Sequence, residues 1–165
     1  MKISVVCHEN IARSQVLGHY LEHFLKENKL DSIITVFSCG TTLKPNQYGN
    51  ENERLKQVAE RLKELGLDVQ INRNCWNDET AKELKTSDLI LAADSERRSD
   101  IVTRLGSEVE NKTFLFYEFI EEGSKDFTDT YDSAKGAQDP ERFDKSFAEL
   151  KRIAEVLIEK ILGDN

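Results

Sequence analysis

Three side chains near the start of the chain have the types and the spacing for covalent chemistry on an oxyanion. Cys7 closes the short apolar run Ile3-Ser4-Val5-Val6. Arg13 follows after five intervening residues, and Ser14 comes next, at the head of an amphipathic segment. A buried strand, a tight polar loop and a helix start together form an anion cradle, because loop N–H groups and a helix N-terminus both favour negative charge. A cysteine at the front of that cradle would be held as thiolate by the same field. An arginine at the back presents a planar fork that suits two oxygens at once. The arrangement reads as a covalent phosphate-transfer site. Cations are disfavoured at a helix start, so Arg13 is easiest to explain if it holds an anion.

The elements that would position these residues follow from periodicity. Ile3–Val6 reads as a strand. Val16, Leu17, Tyr20, Leu21, Phe24 and Leu25 step at helical spacing, which predicts a helix over about 14–28. Ile33–Phe37 reads as a second strand, with Ser38-Cys39-Gly40-Thr41 as its turn and a polar loop over 41–50. Leu55, Val58, Ala59, Leu62 and Leu65 mark a helix ended by Gly66. A short helix is expected over about 78–86, a strand at Leu89–Ala92 ending near Asp94, a helix near 95–105 and a strand at Thr113–Tyr117. Residues 120–140 are acidic and turn-prone, a long loop of the kind that is often functional. Pro140 opens a last helix whose stripe is Phe143, Phe147, Leu150, Ala154, Leu157, Ile158 and Ile161. Strands alternating with helices imply an α/β three-layer sandwich with a four-stranded parallel sheet. Ligands in such sheets bind beyond the carboxyl ends of the strands, where Cys7, Cys39, Asp94 and the 120–140 loop all fall.

Composition bounds the rest. At 165 residues the chain reads as one domain over 1–165. It is 38% apolar and 33% charged, and the N-terminal run lacks the length and cleavage site of a secretory leader, so a cytoplasmic setting is expected. With 23 basic and 31 acidic residues the net charge is −8, which argues against nucleic-acid and anionic-membrane partners. Cys7, Cys39 and Cys75 are odd in number and lack CxxC spacing, so neither structural zinc nor a disulfide framework is expected. No metal or cofactor is called for, because the loop supplies the positive field.

Cys-x5-Arg-Ser after the first strand, with Asp139-Pro140 before the last helix, resembles the low-molecular-weight protein tyrosine phosphatases over nearly the whole chain. The resemblance implies a flavodoxin-like fold and a phosphate loop made of His8, Glu9, Asn10, Ile11, Ala12, Arg13 and Ser14. It implies Cys7 as nucleophile, Arg13 as the holder of the equatorial oxygens and Asp139 as general acid. Ser14 would hydrogen-bond the Cys7 sulfur, and Asn10 would take the left-handed conformation the loop needs. Asp129 and Asp132 compete with Asp139 for the acid role. Tyr48 and Tyr131 are candidates to flank an aryl substrate. The implied partners are a phosphorylated protein and inorganic phosphate or a similar oxyanion, with the chain a monomer or weak dimer.

Two loop positions depart from the family pattern Cys-x-Gly-Asn-x-Cys-Arg-Ser. Glu9 replaces the glycine and brings a carboxylate toward a dianion site. At about 6 Å and an effective dielectric of about 20, that like charge costs a few kcal/mol unless Glu9 points to solvent. Ala12 replaces the second loop cysteine, so oxidised Cys7 has no resolving thiol in the loop. Ile11 fits the tyrosine-phosphatase subtype; the related arginine phosphatases carry Thr there. Ala12 and Gln15 also resemble thioredoxin-coupled arsenate reductases, whose chemistry would require a relay through Cys75 and Cys39. A non-catalytic oxyanion- or phosphoprotein-binding domain is the third reading.

Overall fold

A computed structural model describes residues 1–46, 49–132 and 137–163. Four strands, β1 (Lys2–Cys7), β2 (Thr35–Gly40), β3 (Leu89–Ala92) and β4 (Thr113–Leu115), form a parallel sheet in the order β2-β1-β3-β4. Helices α1 (Arg13–Glu27), α2 (Glu51–Glu64), α3 (Asp78–Lys85), α4 (Ser95–Leu105), α5 (Phe116–Phe119) and α6 (Pro140–Gly163) complete the sandwich.

The pleat sorts the strands' side chains into two cores. Ile3, Val5, Cys7, Leu89 and Leu91 pack with Val16, Leu17 and Leu21 of α1, Val58 and Leu62 of α2, and Phe147, Leu150 and Leu157 of α6. Val6, Cys39, Ile90, Ala92 and Leu115 pack on the other face with Leu84 of α3 and Ile101 and Leu105 of α4. The α6 stripe is buried from Phe147 to Ile161 as its spacing implies, with Ile153 added, whereas Phe143 is only half-buried at its head. No helix among the described residues is long and apolar enough to cross a membrane.

Two strands differ from the sequence expectation. β2 begins at Thr35 rather than Ile33 and runs to Gly40. The N–H groups of Ile33 and Ile34 both donate to the Leu30 carbonyl (3.0 and 2.9 Å), so the chain is still turning there. Pairing starts only at Thr35 opposite Lys2 and continues because β1 runs to Cys7 opposite Gly40. β4 stops at Leu115, where the Glu118 carboxylate accepts the Leu115 N–H (3.0 Å) and winds Phe116–Phe119 into a helical turn.

The 120–140 segment is a loop pinned at several points. Its chain carries a short antiparallel ladder, β5 (Tyr131–Asp132) against β6 (Ala137–Gln138). The Phe127 N–H donates to the Ala93 carbonyl (2.7 Å) just past β3, and Asp126 accepts from Ser95 N–H (2.8 Å) at the head of α4. The loop is thereby drawn over the carboxyl end of the sheet, next to Cys7.

Candidate active site

Cys7 is the last residue of β1, and Arg13 is the first of α1, so residues 8–12 span a strand end and a helix start. Asn10 makes that short loop possible. Its φ is +57°, a conformation that Asn tolerates better than most residues. Its side chain is fully buried and saturated. Asn10 Nδ2 donates to Ser14 Oγ (2.8 Å) and Ser38 Oγ (3.1 Å), while Oδ1 accepts from Gln15 Nε2 (3.0 Å) and Asn74 N–H (2.8 Å). With Asn10 donating to Ser14 Oγ, the Ser14 hydroxyl hydrogen is free to point at Cys7 Sγ, 3.0 Å away. The Asn10 N–H also donates to that sulfur (3.3 Å).

β2 buttresses the loop from the side. Thr41 and Thr42 N–H groups donate to the carbonyls of Cys7 (3.0 Å) and His8 (2.9 Å). This approach requires Gly40, because a Cβ there would lie 2.5 Å from His8 O and 2.8 Å from Glu9 C. Among the described residues no side chain caps the N-terminus of α1, and its first turn carries no acidic residue. The positive end of its dipole therefore opens on the loop.

Arg13 is buried, with a fixed fork. Nη1 donates to Asp94 Oδ2 (2.7 Å) and the Phe127 carbonyl (3.0 Å), and Nη2 to Asp129 Oδ2 (3.2 Å). Burial works against its charge, but Asp129, Cys7 and Asp94 outweigh it and hold the guanidinium protonated. Asp94 is fixed in turn as the N-cap of α4, accepting from Arg97 N–H (2.9 Å). His8 is half-buried; burial and the Arg97 guanidinium push its pKa below the ordinary histidine value.

Cys7, Glu9, Ile11, Ala12, Arg13, Arg54 and Asp129 line one cavity of about 10 Å³, room for about one water. Among the acid candidates the structure brings Asp129 here and not Asp139. Asp129 is 48% exposed at the cavity mouth, and its other oxygen accepts the Tyr131 N–H (3.2 Å). Asp139 stands at the head of α6, where Oδ1 accepts the N–H groups of Glu141 and Arg142 (both 3.1 Å). The side chain of Asp132 and all of Tyr48 lie outside the described residues.

Glu9 does not point to solvent. It is 7% exposed and pairs with Arg54 (Oε2–Nη2, 2.8 Å), a residue of α2 that is itself 6% exposed. Arg54 lies over the Tyr131 ring, 3.9 Å from its centroid. Arg73 holds the Glu9 carbonyl through Nε (2.7 Å) and pairs with Glu51. Sequence reasoning missed both arginines. The available signal was Glu9 itself, since a carboxylate in a buried loop demands a cation.

The other thiols are elsewhere. Cys39 packs with Val6 and Ile90 on the opposite face of the sheet from Cys7, and burial pushes its thiol pKa up strongly. Cys75 is partly exposed and raised for the same reason.

A strand-loop-helix anion cradle with a cysteine at its floor is the geometry of a cysteine-dependent phosphatase. The model of the low molecular weight phosphotyrosine protein phosphatase family matches residues 2–165, so the chain belongs to that family of cysteine-dependent, phosphotyrosine-hydrolysing enzymes. No curated protein sequence matches it significantly. Among solved structures it is similar to the YwlE arginine phosphatase, captured as a serine mutant with a phosphorylated active-site serine. That match has a TM-score of 0.81 and 18% identity, covering 100% of this chain and 98% of the other. A low molecular weight phosphotyrosine phosphatase from Vibrio cholerae O395 matches at TM-score 0.78 and 21% identity, over 100% and 99% of the two chains. A protein tyrosine phosphatase from Entamoeba histolytica matches at 0.74 and 22%, over 99% and 96%. At these identities the likeness is one of fold.

Proposed function

We propose that this chain hydrolyses phosphotyrosine on proteins with Cys7 as nucleophile, Arg13 as phosphate clamp and Asp129 as general acid and base. The observation that carries the reading is the cavity that Cys7, Arg13 and Asp129 line together. The Cys7 thiolate attacks phosphorus as the bond to the phenolic oxygen breaks, and Asp129 gives that oxygen its proton. Water then attacks the phosphocysteine, Asp129 takes the water's proton, and the P–S bond breaks to release phosphate and restore the thiolate. The Ser14 hydroxyl, 3.0 Å from sulfur, supports negative charge there in the second step. Arg13 and the loop N–H groups hold the equatorial oxygens as charge spreads over them.

Substrate entry has a local cost and a local reward. The phosphoryl oxygens take the place of the Asp129 carboxylate on Arg13 Nη2, which frees Asp129 to face the leaving group. We place the enzyme in the cytoplasm, in keeping with its three free cysteines. The test is hydrolysis of p-nitrophenyl phosphate without added metal near pH 5–7, parent beside Cys7→Ser. Turnover in the parent that vanishes in a folded Cys7→Ser supports the reading; full activity in that variant sinks it.

A further inference from the structure

Arg54 and Glu9 are poorly explained as a structural ion pair. Both are more than nine-tenths buried, yet they share a single N–O contact of 2.8 Å. Arg54 Nε and Nη1 and Glu9 Oε1 are buried with no hydrogen-bond partner among the described residues. A pair that served only stability would gain from bidentate geometry, and each buried hydrogen bond left unmade is a net cost to the fold. The loop has no need of Arg54 as an anchor, because Arg73 already holds the Glu9 carbonyl. The unpaired donors lie on a residue that lines the same cavity as Cys7 and Arg13.

We infer that Arg54 is a second phosphate-binding guanidinium and that Glu9 is the residue that positions it. This rests on the phosphatase reading only in taking the Cys7 cavity as the phosphate site. Arg13 approaches the anion from α1 and Arg54 from α2. Glu9 holds Nη2 of the Arg54 fork, and the Tyr131 ring supports its flat face at 3.9 Å. The remaining N–H groups are then aimed for phosphoryl oxygens, which would satisfy them. The Glu9 carboxylate is neutralised by the same contact, so it need not repel the dianion. Two guanidinium groups on one phosphate favour the dianion over the monoanion and bind the product, inorganic phosphate, as well as the substrate.

The experiment is calorimetric titration of inorganic phosphate into the parent, Glu9→Gly, Arg54→Gln and the Glu9→Gly/Arg54→Gln double variant, each first shown by thermal melting to be folded. The expected result is at least a tenfold weaker phosphate affinity for Arg54→Gln than for the parent. The double variant should likewise bind at least tenfold more weakly than Glu9→Gly. The double variant leaves no unpaired buried carboxylate, so it decides the matter even if Arg54→Gln alone does not fold. Equal phosphate affinity in Glu9→Gly and the double variant would overturn the inference, for Arg54 would then merely neutralise Glu9. A parent that binds no phosphate would overturn it too. A parent that binds phosphate through Arg54 but turns over no aryl phosphate would leave this inference standing and remove the phosphatase reading.

Discussion

At the scale of single residues, two aspartates that precede the last helix lie in different surroundings. Asp129 touches Arg13 in the Cys7 cavity, and Asp139 accepts two N–H groups at the start of α6. Asp129→Ala is expected to lower kcat for p-nitrophenyl phosphate by about 10²–10⁴, the usual range for a lost general acid. Asp139→Ala should leave kcat near the parent value and cost about 1 kcal/mol of stability, the usual loss for a helix cap. Steady-state kinetics and thermal melting on both variants check this; a large kcat loss in Asp139→Ala would return the acid role to it. His8 makes a pH prediction. Its folded pKa lies below the ordinary 6.5, through burial first and Arg97 second. The unfolded chain therefore takes up a proton near pH 6.5 that the folded protein accepts only at lower pH. The contribution is fully present above pH 6.5 and is lost as pH falls from 6.5 toward the folded pKa. Denaturant titrations across that window should give a shallower pH slope for His8→Gln than for the parent.

At the scale of elements, the site exists because the end of β2 comes unusually near the loop. Gly40 has no side chain where a Cβ would sit 2.5 Å from the His8 carbonyl. Gly40→Ala must push the loop away, with an expected destabilisation of about 1–3 kcal/mol, as for other overpacked sites. It should also weaken inorganic phosphate binding, because the loop N–H groups and α1 move with it. Melting and calorimetry together test this, and an Ala variant with parent-like phosphate affinity would show that the buttress is dispensable. β1 and α1 were legible in the sequence to within one or two residues because each carries an unbroken hydrophobic pattern. The ends of β2 and β4 were not, because they depend on a partner strand and on a Glu118 side chain that reaches back to Leu115. Asp94 was legible at a strand end, but its double duty as α4 cap and Arg13 partner needs the two elements side by side.

At the scale of the whole molecule, a net charge of −8 surrounds a site built to receive a dianion. The cations at the site, Arg13 and Arg54, are buried and act at short range. The acidic surface acts over about 10 Å at 0.1 M salt. A phosphotyrosine peptide with basic flanks should therefore show a higher kcat/KM than an acidic one of the same length at low salt. The advantage should shrink as ionic strength rises. Equal values for the two peptides at low salt would mean that the outer field does not reach the approaching substrate.

The sequence by itself determined the parallel α/β fold, the strand-loop-helix cradle and the residues at its centre. Those features are local: an apolar run, a Cys-x5-Arg-Ser spacing and helical stripes are written in consecutive residues. Only the tertiary structure decided which aspartate shares the cavity with Cys7, since Asp129 and Asp139 differ less in sequence context than in where a pinned loop carries them. It alone decided the fate of Glu9 as well. A carboxylate beside a phosphate site is a liability in one dimension, and its cation arrives from α2, forty-five positions along the chain, through packing that no local pattern encodes.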